Sequence, residues 1–347
     1  MIRLQLTPLN TIQDARDQLQ KAIGVEFGTL PPYLYSLYSI RPGTNPQATA
    51  LIKSVALQEM IHMCLASNIL NALGGKPVLS PPHYPGYLPG DIGPDGQRLL
   101  LHLYPFSPVA MEQAMNIEQP ENPPDFPVKE MLAAAPEGKA VTIGQFYEAL
   151  DQFLATLPAT DWTPHQNQIA DNQFFAGQLF EVNSYADAHQ AIQDIVSEGE
   201  GTTTGTESDP LDFQDDLAHY YRFGEIFHDR VLTKADNPLG YQWGPAKLGV
   251  DWSGAYPAIS DPATHDFSHD PPAAQAAQEA CNRAYSRMVE ALQGALTGQA
   301  AALGDAVRAM FDLRMAALHA FQVPLADGVH VAGPAFLYTP SQPGETA

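Results

Sequence analysis

Residues 56–70 read ALQEMIHMCLASNIL, an oily helical stretch that carries Glu59 and His62 on its apolar side. Stepping back by three and four residues reaches Val55 and Ile52, and stepping forward reaches Ala66 and Ile69, the spacing of a single helix face. A carboxylate taken out of water without a partner costs several kcal/mol, so a chain that places one there must neutralise it or give it a cation. One Glu-x-x-His is a weak signal, because such pairs arise by chance on many helices. It gains weight only if other elements bring matching groups.

They do. Leu211, Ala218, Tyr221, Glu225, His228 and Leu232 fall on one row of a later helical segment, and Glu225-Ile-Phe-His228 is a second Glu-x-x-His. The first long helix brings Glu26 on the row Ile12, Ala15, Leu19, Ile23, Leu30, and a third segment brings Glu200, four residues beyond Val196. One Glu from each of two helices and a Glu-x-x-His from each of two more is the ligand pattern of di-iron and di-manganese carboxylate bundles. Four carboxylates balance two divalent cations, and imidazole with carboxylate suits iron or manganese where no thiolate is offered. The expected metal ligands are therefore Glu26, Glu59, His62, Glu200, Glu225 and His228, holding two divalent ions, with iron favoured and manganese the alternative. Glu198 competes with Glu200, and the adjoining Gly199 and Gly201 also allow the segment to be a plain helix end. His219 and Arg222 read either as partners of a ligand carboxylate or as a surface His and salt bridge.

The order of elements predicts an all-α core, a four-helix bundle in a single domain. Its helices are expected at about 11–40, interrupted by a kink at Pro31-Pro32, at 46–73 with a stop at Gly74-Gly75, at 184–200 with Asn183 or Ser184 as cap, and at 210–232. Ser208-Asp209-Pro210 has the chemistry of the last helix start. Residues 76 to about 180 form a long Pro- and Gly-rich insertion with short helical pieces near 107–117 and 143–156, expected to shape a site. Two accessory helices follow near 273–297 and 299–322.

The net charge of −22 comes without any basic block, which disfavours nucleic acid and anionic membrane surfaces and welcomes divalent cations. No apolar run spans a bilayer and the N-terminal residues lack a signal-peptide pattern, so a cytoplasmic protein is expected. Cys64 and Cys281 read as small buried hydrophobes.

With these residues in hand, VEFGTLPPYLYSLYSI, QEMIHMCLASNILNALGGKP, IVSEGEGT and HYYRFGEIFHDR, with the C-terminal AYSRMVEAL and AGPAFLY, resemble the ferritin-like domain of iminophenyl-pyruvate dimer synthases. These are pigment-pathway enzymes of the violacein and rebeccamycin type, and the resemblance covers about residues 10 to 340. It implies a ferritin-like four-helix core and favours Glu200, the second Glu of GEG, as the third-helix ligand. Their imine dimerisation does not carry over, because those synthases are much longer chains in which this module is one part. The expectation is an oxidoreductase whose partners are dioxygen and a small, amino-acid-derived metabolite, and a homo-oligomer is compatible with it. The rival is a metal-binding or metal-storage protein without an organic substrate.

Overall fold

Thr11 starts the longest helix with a reciprocal cap, its hydroxyl accepting from Asp14 N while the Asp14 carboxylate accepts from Thr11 N. The computed structural model describes residues 2–120, 139–171, 173–204, 207–236 and 240–340. After a short strand, β1 (Leu4–Leu6), the first helix α1 (Ile12–Ser39) runs for 28 residues and passes through Pro31 and Pro32. Each proline lacks the N–H that would bond the carbonyl four residues back, which is why an interruption is expected from sequence. The helix continues, and the Gly28 carbonyl freed by Pro32 accepts instead from the Tyr84 hydroxyl of the insertion.

The second helix, α2 (Pro46–Ala72), packs along α1 and ends where the glycines indicate. Gly74 takes the left-handed conformation (φ 74°), Gly75 N donates to Leu70 O, and the Arg16 guanidinium of α1 covers the Leu73 carbonyl at 2.9 Å.

The insertion belongs to the core. It carries α3 (Pro108–Ile117), the strand β2 (Lys139–Val141), which pairs antiparallel with β1, and α4 (Ile143–Leu154). Next come α5 (Tyr185–Glu200), capped by Ser184, the hairpin β3 (Thr202–Thr204) and β4 (Glu207–Asp209), and α6 (His219–His228). The α1–α2 pair is thus flanked by α3 packed on α6 and by α4 packed on α5. Buried Asn68 of α2 fastens the insertion, its amide nitrogen donating to Ile169 O and Phe180 O and its oxygen accepting from Ile169 N.

α6 begins at His219, later than the 210 expected from sequence. Ser208 and Asp209 belong to β4, and the chain then turns on Asp212, whose Oδ1 accepts from Gln214 N at 2.8 Å and Asp216 N at 2.9 Å. A further hairpin, β5 (Leu232–Lys234) and β6 (Tyr241–Trp243), leads to the accessory helices α7 (Pro272–Leu296) and α8 (Ala302–Ala320), which pack on each other and against α2 and α1. Among the described residues no helix is long and apolar enough to cross a membrane.

Glu200 ends α5 against the N-terminus of α4, where its Oε1 accepts from Gly144 N at 2.8 Å. A Cβ at Gly144 would lie 2.6 Å from Glu200 Oε2, so any larger residue there would make the end of the Glu200 side chain shift. Burial pushes the carboxyl up to about 7 against the pull of that hydrogen bond.

Two outcomes are expected. Tyr84→Phe leaves the Gly28 carbonyl without a partner and should cost about 1–3 kcal/mol in urea unfolding; a loss of only a few tenths would mean that the carbonyl finds another donor. For Glu200 the folded pKa lies above the unfolded one, so the folded chain holds the proton longer and stability falls as pH rises from about 4.5 to about 7. Glu200→Gln keeps an acceptor for Gly144 and removes this fall, so its stability relative to wild type should rise between pH 5 and pH 8; an equal difference at both pH values would contradict the assignment.

Candidate metal centre

Glu26 of α1 and Glu59 and His62 of α2 meet on the inner faces of their helices, all three buried. His62 Nδ1 lies 3.8 Å from Glu26 Oε2 and 3.9 Å from Glu59 Oε1. Glu59 also belongs to a second group with Glu118, the C-cap residue of α3, and His219, the first residue of α6. His219 Nδ1 is 2.9 Å from Glu59 Oε1 and 3.5 Å from Glu118 Oε2. Within each group the possible ligand atoms lie within 4.8 Å of one another, and the two imidazoles stack at 5.5 Å.

Every one of the three carboxylates has one oxygen held by a hydroxyl and the other turned towards a histidine. Tyr147 donates to Glu26 Oε1 at 2.7 Å, Thr29 donates to Glu59 Oε2 at 2.7 Å, and Tyr33 donates to Glu118 Oε1. The histidines are held from behind as well. His62 Nε2 meets Glu198 Oε2 at 2.8 Å, and His219 Nε2 faces Gln58 Oε1 at 3.2 Å. Arg222 Nη1 donates to that same Gln58 oxygen at 2.7 Å, which marks it as an acceptor and places the Nε2 hydrogen on His219. Both Nδ1 atoms are thereby left to the centre.

The charges of the cluster call for a cation. Burial, and next the neighbouring Glu59, push Glu26 and Glu118 up, whereas Glu59, which burial alone would raise, is brought below its usual range by the adjacent His219 imidazole and then by the nearby His62 and Thr29. Burial opposes a charge on His219, but Glu118 and Glu59 outweigh it and push the imidazole up to about 9. Nδ1 of His219 makes no well-aligned hydrogen bond, although it is buried. A proton there, or a metal ion in its place, answers the same electrostatic demand. Nitrogen and carboxylate donors, inward-facing oxygens and an orphaned imidazole nitrogen together fit metal ions. With Glu198 behind His62, the four carboxylates balance two divalent cations.

Of the six ligands expected from sequence, the structure brings Glu26, Glu59 and His62 together and places Glu200, Glu225 and His228 elsewhere, while His219, read from sequence as a partner of a ligand carboxylate or a surface residue, joins the centre beside Glu59. Glu200 sits at the start of α4. Glu225 Oε1 accepts from Leu232 N at 2.8 Å, and His228 is exposed with its ring on Trp243 at 4.6 Å. The reason is the late start of α6: its first turn faces the centre, and Glu225 and His228 lie about 9 Å and about 13 Å further along the axis. Glu198 supports His62 from behind, and Arg222 also bonds Ser54 Oγ at 3.0 Å. Glu118 was not expected. It follows Met111 and Ala114 at helical spacing, but it sits at the last turn of a short helix running into Pro120, where a solvated cap is the ordinary reading. Thr29, Tyr33 and Tyr147 carry no motif at all.

A family model described as Ferritin-like matches residues 19–228, a span that includes all five clustered residues. No curated protein matches the chain. Among solved structures, a ferritin-like protein from Caulobacter vibrioides is similar over 94% of this chain and 99% of its own, at 23% identity and a TM-score of 0.63, a likeness of fold. On the family match, the chain belongs to the Ferritin-like family.

Proposed function

We propose that this protein is a dimetal-carboxylate oxidoreductase, with iron favoured over manganese, that activates dioxygen to oxidise a small, amino-acid-derived metabolite. The observation that carries it is the sharing of Glu59 between two buried groups, so that one carboxylate lies between two sets of donors. Glu26, Glu59 and His62 would hold one ion, and Glu59, Glu118 and His219 the other. The ions, once bound, supply the electrons and Lewis acidity that dioxygen reduction requires. Thr29, Tyr33 and Tyr147 hold the carboxylates in place, and Glu198 and the Gln58–Arg222 pair hold the imidazoles, so little reorganisation is left for the reaction. Burial of all five clustered residues keeps bulk water away.

The absence of thiolate among the donors supports iron or manganese over softer choices. Cys64 lies one turn from Met60 on α2, and burial pushes its thiol up to about 12, so it stays protonated. The choice of an amino-acid-derived substrate rests on the resemblance to the iminophenyl-pyruvate dimer synthase module. The strongly acidic surface suits small-molecule and cation partners.

Anaerobic reconstitution followed by elemental analysis tests the centre. Wild type should take up about two ions per chain, as in other dimetal carboxylate bundles, Glu59→Ala close to none, and Glu26→Ala or Glu118→Ala about one, while Glu225→Ala keeps the full complement. Retention by Glu59→Ala with loss in Glu225→Ala would reverse the assignment. Oxygen added to the ferrous protein should then give a transient visible absorption. A flat trace with iron bound would remove the oxygen chemistry, and uptake far beyond two ions would point to storage.

A further inference from the structure

Behind the ligand-bearing faces of α1 and α2, on the side covered by α7 and α8, lies a cavity of about 30 Å³ whose wall exposes no polar atom. Phe27 and Leu30 of α1, Met60 and Met63 of α2, and Ala306 and Met310 of α8 contribute to it. Three of these residues directly follow residues of the metal centre: Phe27 follows Glu26, Met60 follows Glu59, and Met63 follows His62. Neighbouring Cα atoms are about 3.8 Å apart, and successive side chains point about 100° apart around a helix, so little more than the helix backbone separates cavity from centre.

Size and polarity together select the occupant. A buried water needs two to four polar partners, and apolar cavities of this kind stay dry while accepting small apolar molecules. Room for a water takes roughly 10–15 Å³ by the same measure, so this cavity accommodates a diatomic molecule and excludes an organic metabolite. The thioethers of Met60, Met63, Met288 and Met310 in the wall are polarizable and flexible, which favours dispersion contact with an apolar guest and allows side chains to swing aside.

We propose that this cavity holds dioxygen beside the centre and supplies it from the α7–α8 side, separately from any organic substrate. The assignment rests on the oxygen-activating reading above. Xenon, an apolar and polarizable probe of similar bulk, tests the cavity independently of that chemistry. Crystals of the iron-loaded protein pressurised with xenon should show it against Met63 and Leu30, and Ala306→Leu should exclude it. In solution the rate of ferrous oxidation should then reach half its maximum at a several-fold higher oxygen concentration in Ala306→Leu, with iron content and maximal rate unchanged. Val307→Ile, a smaller filling of the same wall, should shift it less and provides the test if Ala306→Leu does not fold. No xenon in the wild-type cavity would overturn the proposal, as would a xenon-excluding variant with wild-type oxygen dependence. Xenon bound in an iron-loaded wild type that is inert to oxygen would overturn the oxidoreductase reading and, with it, the dioxygen assignment.

Discussion

The Glu59 carboxylate stands between His62 and His219, and the arrangement of the centre follows from the need to keep that charge where water cannot reach it. Burial opposes ionisation, yet Glu59 is held below the ordinary carboxylate range because His219, His62 and Thr29 all favour its charged form. Glu26 and Glu118, pushed the other way by burial and by Glu59 itself, show what the same environment does to carboxylates with weaker support. A buried cluster of this kind is stable only if every charge is matched, which is why the outer partners are as fully specified as the inner ones.

Those outer partners come from helices far apart in the sequence. Thr29 and Tyr33 lie on α1 beyond Glu26, Tyr147 comes from α4, and Gln58 and Arg222 join α2 to α6. The long insertion therefore does more than line a pocket. It supplies Glu118 and Tyr147 to the centre, and through Tyr84 it satisfies the Gly28 carbonyl that the double proline of α1 leaves open. The clustered residues and the continuity of α1 thus depend on the same segment being folded against α1 and α2.

Glu26, Glu59 and His62 were legible in the sequence because they interrupt an apolar row on long helices, where periodicity extends over many turns and a charge in register stands out. Glu225 and His228 satisfied the same local rule and still lie outside the centre. Periodicity reports which face of a helix a residue occupies; it does not report how far along the helix the neighbouring elements meet, and that distance was set by a hairpin and an Asp212 turn that delay α6 until His219. Glu118 was missed for the complementary reason, since a carboxylate in the last turn of a short helix before Pro120 looks like an ordinary exposed end until α3 is packed against α6.

By itself, then, the sequence determined the helical class, the long α1–α2 pair with its glycine stop, the accessory helices and one half of the metal-binding cluster, because these depend on local periodicity and helix-end chemistry. The tertiary structure decided which carboxylate and which histidine complete the second half, which hydroxyls hold them, and that Glu200 serves a helix end. Those choices depend on contacts between residues far apart in the chain, where no local pattern distinguishes a buried Glu118 or His219 from a solvated one.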